Sequence, residues 1–466
     1  MRATKLVCTI GPSSEARVGE LIDAGMDVAR INCSHGERDD HDRLLRTVRS
    51  AAEGTGRRVG VMVDLSGPKI RLGELEGGKV TLEIGATFTL QADGTGDARG
   101  AATTHPGLAG ELEPGDRILL ADGAAELRVV EPSGSALVTE VVRGGTVRSR
   151  AGVNVPSERL GIPAITPKDE DDLAWAVGEG VDMVAQSFVR RAFDVRALAG
   201  LIGEPRPVLV AKIETKAAVE DAAAIIAAAD AVIVARGDLG VETALEEIPV
   251  HQKRLVDLAN RAAVPVVVAT QMLESMISAP RPTRAEAGDV AGAVFDGADA
   301  VMLSAETAIG EFPIEAARTA ARILEAAETS GAEFLPATRE PDALDLEELP
   351  LARAAAVLAR RGGADAVACF TRTGLTARLL SAARPGVPIV AFSPDPRAVG
   401  RMTLFHGVRP MSIEAPEDTD GMIASMDEGL RSAGLVEPGA GVVMVASSPA
   451  GQTHANLLKV HRVAGR

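Results

Sequence analysis

Two carboxylates and three cations in this sequence have the chemistry of a site for a metal ion and a phosphate group. Glu214 and Asp238 stand at the ends of two short runs rich in β-branched and small apolar residues. Such a pair suits Mg²⁺, which is usually held by one or two carboxylates and keeps positions for substrate oxygens and water. The cations Arg30, Arg71 and Lys212 suit phosphate oxygens, and they could neutralise charge on a phosphoryl group during its transfer.

These residues need a fold that brings distant parts of the chain together. Short β-branched runs alternate with longer segments of helical composition, for example 215–229 and 248–262, which is typical of βα units around a parallel sheet. The eight predicted strands are 5–10, 27–32, 59–65, 181–188, 208–213, 231–235, 264–269 and 300–303. We therefore expect a (β/α)₈ TIM barrel, an α/β fold whose active site lies at the carboxyl ends of the strands. The other polar residues at these ends are Asn32, Ser34, His35, Asp64, Lys69, Arg236, Thr270, Gln271, Ser304 and Glu306, and Gly237 lies between Arg236 and Asp238.

Two further stretches depart from this alternation. Residues 67–165 are dense in Gly and in alternating segments such as KVTLEIGATFTL, which predicts an inserted all-β domain. The acidic stretch 333–350 is typical of a linker, and beyond it we expect a helix near 351–361, strands at 364–370, 387–394 and 441–448, and a final run at 456–463. The predicted organisation is a barrel of residues 1–66 and 166–335, the inserted lid domain, and a carboxyl-terminal α/β domain of residues 345–466.

Composition limits the partners and the compartment. The net charge of −16 argues against nucleic acid or an anionic membrane as a partner, because both require a positive surface. An acidic protein with an anionic substrate must concentrate its positive charge locally. Cys8, Cys33 and Cys369 are widely spaced and odd in number, so we expect a reducing, cytoplasmic location and no disulfide framework. We expect neither a signal peptide nor a membrane span.

Each candidate also has a purely structural explanation. A single Arg or Glu at a strand end forms a salt bridge more often than it takes part in chemistry. Gly237 and Gly240 are compatible with a tight turn, and Asp238 with the N-cap of the following helix. Charge-complementary residues at so many strand ends are harder to explain by structure alone, so the functional hypothesis is preferred.

Several longer segments resemble the pyruvate kinase family over nearly the whole chain. In chain order they are TKLVCTIGPSS, GMDVARINCSHG, DLSGPKIRLG, AKIET, VARGDLGVE, ATQMLESM, PTRAEAGDVAGAVFDGADAVMLSAETAIGEFP and LLKVHRV. The run MLSAETAIG after PTRAE is more diagnostic than any Gly-rich pattern. The resemblance implies a phosphotransferase that moves the phosphoryl group of phosphoenolpyruvate to ADP, giving pyruvate and ATP in the last step of glycolysis. It also implies Mg²⁺ or Mn²⁺ as cofactor and a homotetramer.

The resemblance further implies roles for individual residues. Glu214 and Asp238 are expected to ligate the divalent metal, and Lys212 to stabilise the phosphoryl group in flight. Thr270 is expected beside the enolate methylene as a positioning group, next to a proton relay, and the proton donor stays open. The residues expected in catalysis are Arg30, Lys212, Thr270, Ser304 and Glu306. Those expected to bind substrate are Arg30, Lys212, Gly237, Asp238 and Thr270. Those expected at the nucleotide are Asn32, His35, Arg71, Asp122 and Lys168.

One departure from the family pattern concerns K⁺. Many members carry a Thr-Lys pair after the aspartate and a Glu after Gly-Pro, and they need K⁺. Here Leu65 and Ser66 follow Asp64, and Lys69 follows Gly-Pro. A monovalent site is still conceivable from Asn32, Ser34, Asp64 and the Leu65 carbonyl. Because the Lys69 ammonium would repel a second cation, the resemblance is to the K⁺-independent branch, and we expect weak or absent activation by K⁺.

The carboxyl-terminal domain carries TRTGLT between a predicted strand and a predicted helix. Hydroxyl groups and a Gly at a helix N-terminus can form a phosphate-binding nest. The segment resembles the effector-phosphate loop of the family, with SSPAGQTHANLL as its counterpart, which implies a sugar phosphate or AMP as effector. N-capping by Thr373 or Thr376 is the alternative explanation. The candidate effector residues are Thr371, Thr373, Gly374 and Thr376.

Two other functions remain open on sequence. A Mg²⁺-dependent barrel lyase acting on pyruvate or its enolate would share the paired carboxylates, but it would not need Lys212, the lid or the nucleotide positions. A catalytically dead relative that only binds effector phosphates is disfavoured by the presence of Lys212, Glu214, Asp238 and Thr270. An assay with phosphoenolpyruvate and ADP separates the three.

Overall fold

The computed structural model describes residues 2–121, 123–156, 159–330, 348–450, 452 and 454–464. Within those ranges every helix is too short or too polar to cross a membrane. Residues 333–347 of the predicted linker 333–350 lie outside the described residues. The predicted domain limits at 335 and 345 fall in the same undescribed part of the chain.

The chain begins with three parallel strands joined by helices. These elements are β1 (Lys5–Thr9), α1 (Val18–Ala24), β2 (Val28–Asn32), α2 (Arg38–Thr55) and β3 (Gly60–Asp64). Their strand residues are buried on both faces, as expected for parallel strands covered by helices. β2 pairs with β1 and β3, and Asn32 stands beside Asp64, so polar residues that end these strands reach one edge.

The third strand leads into the inserted domain. Its strands are β4 (Lys79–Leu82), β5 (Thr87–Gln91), β6 (Gly100–Ala102), β7 (Arg117–Leu120), β8 (Ala125–Ser133), β9 (Ala136–Arg143), β10 (Gly145–Arg148) and β11 (Val153–Asn154). β4 and β10 form a two-stranded sheet, and the others form a sheet in the order β11-β7-β8-β9-β5-β6. Alternate residues of these strands fill a core around Phe88. A short α-helix, α3 (Leu108–Glu111), also lies in this domain, and its Leu108 packs into that core.

After the insertion the chain completes a barrel. The remaining elements are α4 (Pro167–Gly178), β12 (Met183–Gln186), α5 (Ala192–Gly200), β13 (Val208–Ile213), α6 (Lys216–Glu220), α7 (Ala222–Ala228), β14 (Ala231–Ala235), α8 (Arg236–Glu242), α9 (Ile248–Arg261), β15 (Val266–Ala269), α10 (Arg284–Asp296), β16 (Ala300–Leu303), α11 (Ala305–Ala308) and α12 (Pro313–Ser330). Eight parallel strands close in the order β1-β16-β15-β14-β13-β12-β3-β2. The predicted TIM barrel and its eight strands are therefore confirmed.

The helical segments of the barrel follow the sequence with one exception. Pro249 lies in the first turn of α9, where its missing N–H costs no hydrogen bond. The segment of helical composition at 215–229 forms two helices, α6 and α7, which are divided at Asp221. The Asp221 carboxylate accepts a 2.8 Å hydrogen bond from the Ala192 N–H of α5. A tertiary contact thus sets the break, which local propensity does not indicate.

The carboxyl-terminal domain is a five-stranded α/β sheet. Its elements are α13 (Glu348–Gly362), β17 (Ala366–Phe370), α14 (Leu375–Ala382), β18 (Ile389–Ser393), α15 (Pro396–Arg401), β19 (Val408–Ser412), α16 (Thr419–Ser432), β20 (Gly441–Ala446) and β21 (Leu457–Arg462). The order is β19-β18-β17-β20-β21, with β21 antiparallel. The predicted α/β character is confirmed, but β19 was not predicted. It is an edge strand that carries Arg409 and Pro410, so its sequence lacks the apolar run of a central strand.

This domain packs against the amino-terminal ends of the barrel strands. Lys5, which begins β1, donates a 2.7 Å hydrogen bond to the Val408 carbonyl oxygen of β19. Arg384 pairs at 2.9 Å with Asp299, which immediately precedes β16. Both contacts lie at the end of the barrel opposite the predicted site, so the carboxyl ends of the strands face the insertion instead.

Candidate active site

A cavity of about 300 Å³ lies at the carboxyl ends of the barrel strands. The residues that were predicted from the strand ends and line it are Arg30, Asn32, Ser34, His35, Lys69, Lys212, Glu214, Asp238, Thr270 and Ser304. It is also lined by Thr9, Ser66, Ser187 and Phe188. The barrel therefore brings together side chains that lie far apart in the chain.

Lys212 is the centre of a charge network that spans three strands. Its Nζ is 3.0 Å from Oε2 of Glu214 and 3.5 Å from Oδ2 of Asp64. It donates a 2.8 Å hydrogen bond to the Ser187 hydroxyl, which donates in turn to Asp64 at 3.1 Å. Burial by itself lowers the pKa of the ammonium. Asp64, then Glu214 and Asp238, outweigh burial and raise that pKa above its ordinary value, so the positive charge is permanent at neutral pH.

The two carboxylate oxygens of Glu214 have different surroundings. Oε1 accepts a 2.6 Å hydrogen bond from the Phe188 N–H. Oε2 is buried with no hydrogen-bond partner among the described residues, and it faces the Lys212 ammonium. Burial, together with the charge of Asp238, raises the pKa of Glu214 to about 7 against the opposing effect of Lys212. A divalent cation beside Oε2 would offset this cost, so Glu214 fits a metal ligand.

Asp238 lies in the first turn of α8 and lines the same cavity. The N-cap of α8 is Ala235, so the alternative that Asp238 is the N-cap is wrong. Its charge contributes to the raised pKa values of Glu214 and Lys212, which places the three groups in one electrostatic environment. Two carboxylates, one of them with a buried oxygen that accepts no hydrogen bond among the described residues, fit a Mg²⁺ ion that completes its coordination with water and substrate oxygens.

Asp64 and Thr9 fix the orientation of the Arg30 guanidinium group. Its Nε and Nη2 lie 2.8 and 2.6 Å from Oδ2 of Asp64, and Nη1 donates to the Thr9 hydroxyl at 2.9 Å. Burial raises the pKa of Asp64, but Lys212 and Arg30 outweigh it and hold that pKa below its ordinary value. Asp64 is therefore ionised, and it orients two cations whose remaining N–H groups are available to an anionic substrate.

Two of the residues suggested for a monovalent cation, Asn32 and Asp64, already have partners. Oδ1 of Asn32 accepts a 3.1 Å hydrogen bond from the Ser34 N–H. Asp64 is paired with two cations, whereas the hydrogen bond of Leu65 to Ala185 uses its N–H and not the carbonyl oxygen that was suggested as a ligand. Lys69 lines the same cavity as Asn32 and Ser34. The Lys69 ammonium therefore brings a positive charge to the cavity in which a K⁺ site was considered.

Thr270 has a backbone conformation that is rare for a β-branched residue. Its φ is 70°, and that of Gln271 is 53°. The buried Arg236 holds this turn, because its Nη2 donates to the Thr270 carbonyl oxygen at 2.7 Å and to that of Gln271 at 3.2 Å. Nη1 of Arg236 pairs with Asp289 at 2.7 Å. The Thr270 hydroxyl accepts a 2.7 Å hydrogen bond from the Gly237 N–H, so Arg236 and Gly237 together direct it.

Glu306 does not line the cavity. It is fully buried, and its carboxylate accepts hydrogen bonds from the backbone N–H groups of Leu273 at 3.0 Å and Ser304 at 2.7 Å. Glu306 therefore shapes the two turns that follow β15 and β16. Through them it positions Ser304, which does line the cavity.

The predicted nucleotide contacts are spread more widely. His35 lines the cavity, and burial, followed by the charges of Arg71 and Lys69, lowers its pKa. Arg71 lies at the start of the insertion, near His35 but outside the cavity wall. Lys168 lies on α4, where it pairs with Asp172 at 2.6 Å. Asp122 lies outside the described residues.

The end of the fourth barrel strand supplies groups that the sequence reasoning missed. Ser187 orients Lys212, and the Phe188 N–H holds Glu214. A signal for Ser187 was present, since Gln186 and Ser187 are polar residues at the end of an apolar run. The Phe188 N–H has no such signal because it is a backbone group.

A closed barrel of eight parallel strands, with cations and carboxylates gathered at the carboxyl ends, defines a (β/α)₈-barrel enzyme built for an anionic substrate. Its site stabilises charge and offers two carboxylates to a metal. That is the class to which the fold and the site assign the protein.

Comparison with known proteins gives the family. Family models for the pyruvate kinase barrel domain and the pyruvate kinase alpha/beta domain match residues 1–317 and 350–461. The chain is 42% identical over 474 residues to a pyruvate kinase of Corynebacterium efficiens, covering 99% of this chain and 98% of that one. It is also 42% identical over 471 residues to a pyruvate kinase of Mycobacterium tuberculosis, with 99% and 98% covered. A crystal structure of a pyruvate kinase from Cryptosporidium parvum matches with a TM-score of 0.89 at 34% identity, covering 99% of this chain and 96% of that one. The chain therefore belongs to the pyruvate kinase family and is a phosphotransferase.

Proposed function

We propose that this protein transfers the phosphoryl group of phosphoenolpyruvate to ADP with Mg²⁺ or Mn²⁺ as cofactor, as the last step of glycolysis in the cytoplasm. The observation that carries the proposal is the buried Oε2 of Glu214, which has no hydrogen-bond partner within the described ranges. It faces Lys212 at 3.0 Å, beside a cavity that concentrates positive charge in an acidic protein. An oxygen in that state suits a divalent cation, and the surrounding cations suit a phosphate.

The proposed mechanism is one of alignment and charge neutralisation. The phosphoryl group in flight carries charge on three equatorial oxygens and needs little covalent chemistry from the protein. Lys212 and Arg30 supply cations for those oxygens, and their ion pairs with Asp64 fix the orientation of both side chains. The metal ion, when bound by Glu214 and Asp238, supplies further stabilisation of negative charge.

Substrate binding is proposed to rearrange one hydrogen bond. The Gly237 N–H, proposed to bind the substrate carboxylate, donates to the Thr270 hydroxyl in this structure. A carboxylate that accepts from Gly237 competes with the Thr270 hydroxyl oxygen for that N–H, while the hydroxyl keeps its own 2.6 Å hydrogen bond to the Ala269 carbonyl oxygen. We assign Thr270 to positioning and Ser304 to the proton relay, with Glu306 acting through Ser304. The donor of the proton stays open.

The inserted domain, residues 67–165, is proposed to act as a lid on a barrel of residues 1–66 and 166–335. Its entry is anchored by Gly67, whose N–H donates to the Asp169 carboxylate at 3.0 Å and whose φ is 64°. Closure would exclude water, which otherwise competes with ADP for the phosphoryl group. The proposed nucleotide contacts are Asn32, His35, Arg71, Asp122 and Lys168.

A lactate-dehydrogenase-coupled assay with phosphoenolpyruvate and ADP tests the proposal. ADP-dependent pyruvate formation, with ATP as the second product, would support it. Pyruvate formation without ADP would instead favour the barrel lyase, and no turnover would favour the catalytically dead relative. Light scattering on the same sample tests the proposed homotetramer.

Activity is expected to be nearly independent of K⁺. Lys69 lines the cavity with Asn32 and Ser34, and its ammonium takes the place of a monovalent ion and repels another. We expect kcat in K⁺-free buffer to stay within about threefold of its value with K⁺, whereas a drop of about a hundredfold would contradict the proposal. Lys69→Glu, which supplies the acidic side chain of K⁺-dependent members, is expected to create a requirement for K⁺.

The carboxyl-terminal domain, residues 345–466, is proposed to bind a phosphorylated effector. A cavity of about 110 Å³ is lined by residues of both candidate loops, among them Thr371, Thr373, Thr376 and Gln452. The N-cap position of α14 is occupied by Gly374 with a φ of 93° and not by Thr373 or Thr376, although the Thr373 hydroxyl accepts a long 3.4 Å hydrogen bond from the Leu375 N–H. Backbone N–H groups at the start of α14, with these hydroxyls, suit a phosphate group.

Removal of one of these hydroxyls should weaken activation. We expect sugar phosphates or AMP to lower the KM for phosphoenolpyruvate. Thr373→Val is expected to raise the activating concentration by about 10- to 100-fold, because a hydrogen bond to a charged group contributes about 1.5–3 kcal/mol. Thr329→Val, on the exposed end of α12, serves as the matched control. Equal activation of both variants would exclude Thr373 from the effector site.

A further inference from the structure

A second group of metal-ligating side chains lies behind the turn between β2 and α2. One ring nitrogen of His41, Sγ of Cys33 and a carboxylate oxygen of Asp172 lie within 4.8 Å of one another. The residues come from the turn after β2, from α2 and from α4, and they are only 0% (Cys33), 2% (His41) and 3% (Asp172) exposed. None of these side chains lines the active-site cavity.

The hydrogen bonding of His41 leaves it in the tautomer of a metal ligand. Its Nε2 lies 2.8 Å from the His35 carbonyl oxygen, which can only accept, so Nε2 carries the proton. Nδ1 then has a lone pair, and it is buried with no hydrogen-bond partner among the residues that the structure describes. Ligating histidines commonly donate their other ring N–H to a backbone carbonyl in this way. The unpartnered nitrogen is what distinguishes this group from an ordinary buried cluster.

We propose that Cys33, His41 and Asp172 form an inhibitory site for a thiophilic divalent cation of the Zn²⁺ class. Zn²⁺ binds thiolate, imidazole and carboxylate ligands, and a water molecule can complete a tetrahedron around it. Binding forms one bond to each of the three side chains, and the proton of the Cys33 thiol is released to solvent without any change of oxidation state. Mg²⁺ prefers oxygen ligands, so this site and the proposed Mg²⁺ site select different ions.

Asp172 connects the cluster to the active-site wall. Its two carboxylate oxygens pair with Arg38 and Lys168, each at 2.6 Å, so a metal ion must compete with two cations. The side chains of Arg38 and Lys168 are 35% and 53% exposed, which allows both to turn into solvent. Lys168 also donates a 2.8 Å hydrogen bond to the carbonyl oxygen of Cys33. Cys33 directly follows Asn32 in the chain, and Asn32 lines the cavity. Metal binding therefore loosens the turn that carries Asn32, and it lowers activity.

Trp175 makes occupancy measurable without an activity assay. It is the only Trp of a chain that has no Tyr, and its ring centroid is 5.8 Å from that of His41. Co²⁺ serves as the probe, because it quenches a nearby indole and gives a charge-transfer band when a thiolate is a ligand. In excess Mg²⁺, we expect the wild-type enzyme to show both signals at about one equivalent of Co²⁺ per chain. Zn²⁺ is expected to displace Co²⁺ and to inhibit over the same concentration range.

Matched variants decide whether these three residues are the ligands. Cys33→Ser and His41→Asn are each expected to weaken Co²⁺ binding and Zn²⁺ inhibition at least about tenfold, and Cys33→Ser to abolish the band. Cys369→Ser, at a buried cysteine outside the cluster, should keep every signal. Arg38→Ala removes a competitor for Asp172 and should tighten binding.

Three results would overturn the proposal. The first is a wild-type enzyme that shows no charge-transfer band with Co²⁺, and the second is a band that persists in a folded Cys33→Ser variant. The third is inhibition by Zn²⁺ that excess Mg²⁺ relieves and that the Cys33→Ser substitution does not change. The last result would place Zn²⁺ at Glu214 and Asp238. Because quenching and absorption do not depend on turnover, they test the metal site even if the proposed reaction is not observed.

Discussion

Replacement of Lys212 by Met is expected to lower kcat for phosphoryl transfer by about 10³–10⁵-fold, or about 4–7 kcal/mol of transition-state stabilisation. Methionine retains most of the length of the side chain but removes the ammonium. That ammonium is held between Glu214 and Asp64, and Ser187 orients it. Because its charge acts chiefly on the phosphoryl group in flight, the KM for phosphoenolpyruvate should change far less than kcat. Steady-state kinetics at saturating Mg²⁺ measures both quantities.

Two companion variants show whether the loss comes from the charge itself. Ser187→Ala keeps the ammonium and removes one group that directs it, so we expect a smaller loss, about tenfold in kcat. Lys216→Met, at an exposed position of α6, should behave like the unmodified enzyme. Melting curves of all three separate lost chemistry from lost folding. A Lys212→Met enzyme that is folded and within about tenfold of full activity would contradict the role given to Lys212.

Replacement of Glu214 by Gln is expected to lower kcat/KM by about 10²–10⁴-fold at fixed Mg²⁺, since a catalytic metal ion contributes several kcal/mol. Glutamine is close in shape, and its oxygen can still accept from the Phe188 N–H, so the local fold should persist. What disappears is the charge on the carboxylate oxygen that faces the cavity. Activity measured against Mg²⁺ concentration should show a large rise in the half-saturating concentration. Glu220→Gln, on the exposed end of α6, is the matched control.

The same carboxylate predicts how Mg²⁺ binding depends on pH. The pKa of Glu214 is about 7 when burial and Asp238 act against ionisation, and only the ionised form ligates Mg²⁺. Above that pKa the affinity should be constant, and below it the apparent Kd should rise, approaching about tenfold for each pH unit. Mg²⁺ titrations at a series of pH values measure this. An affinity that stays flat through neutral pH, or an identical slope in Glu214→Gln, would contradict the assignment.

Much of the barrel could be predicted from local pattern. Strands such as β14 and β15 consist of β-branched and small apolar residues and are followed by polar ones, and this signal depends only on neighbours in sequence. The local sequence pattern did not predict the secondary structure at positions where a tertiary contact determines it. Asp221 divides a helical segment because it bonds to Ala192, and β19 is a strand because β18 offers it an edge. Neither cause is visible in the segment concerned.

The candidate site divides in the same way. Sequence named Lys212, Glu214 and Asp238, because the end of each barrel strand can be read from its own residues. Sequence could not show that Glu306 faces backbone N–H groups instead of the cavity. Nor could it identify the Phe188 N–H as the group that holds Glu214. These contacts join different strands, and their distances depend on how the strands pack.

Residue type and spacing by themselves thus determined the class of fold, the strand ends that carry charge and the family to which the chain is similar. Which buried polar atoms form hydrogen bonds, and which lack one, depends on how the strands and helices pack. The tertiary structure leaves one oxygen of Glu214 and one nitrogen of His41 buried without a hydrogen-bond partner among the described residues, and it raises the pKa of Lys212. The physical reason is that burial and electrostatic interaction are set by groups close in space, which in this barrel come from residues far apart in the chain.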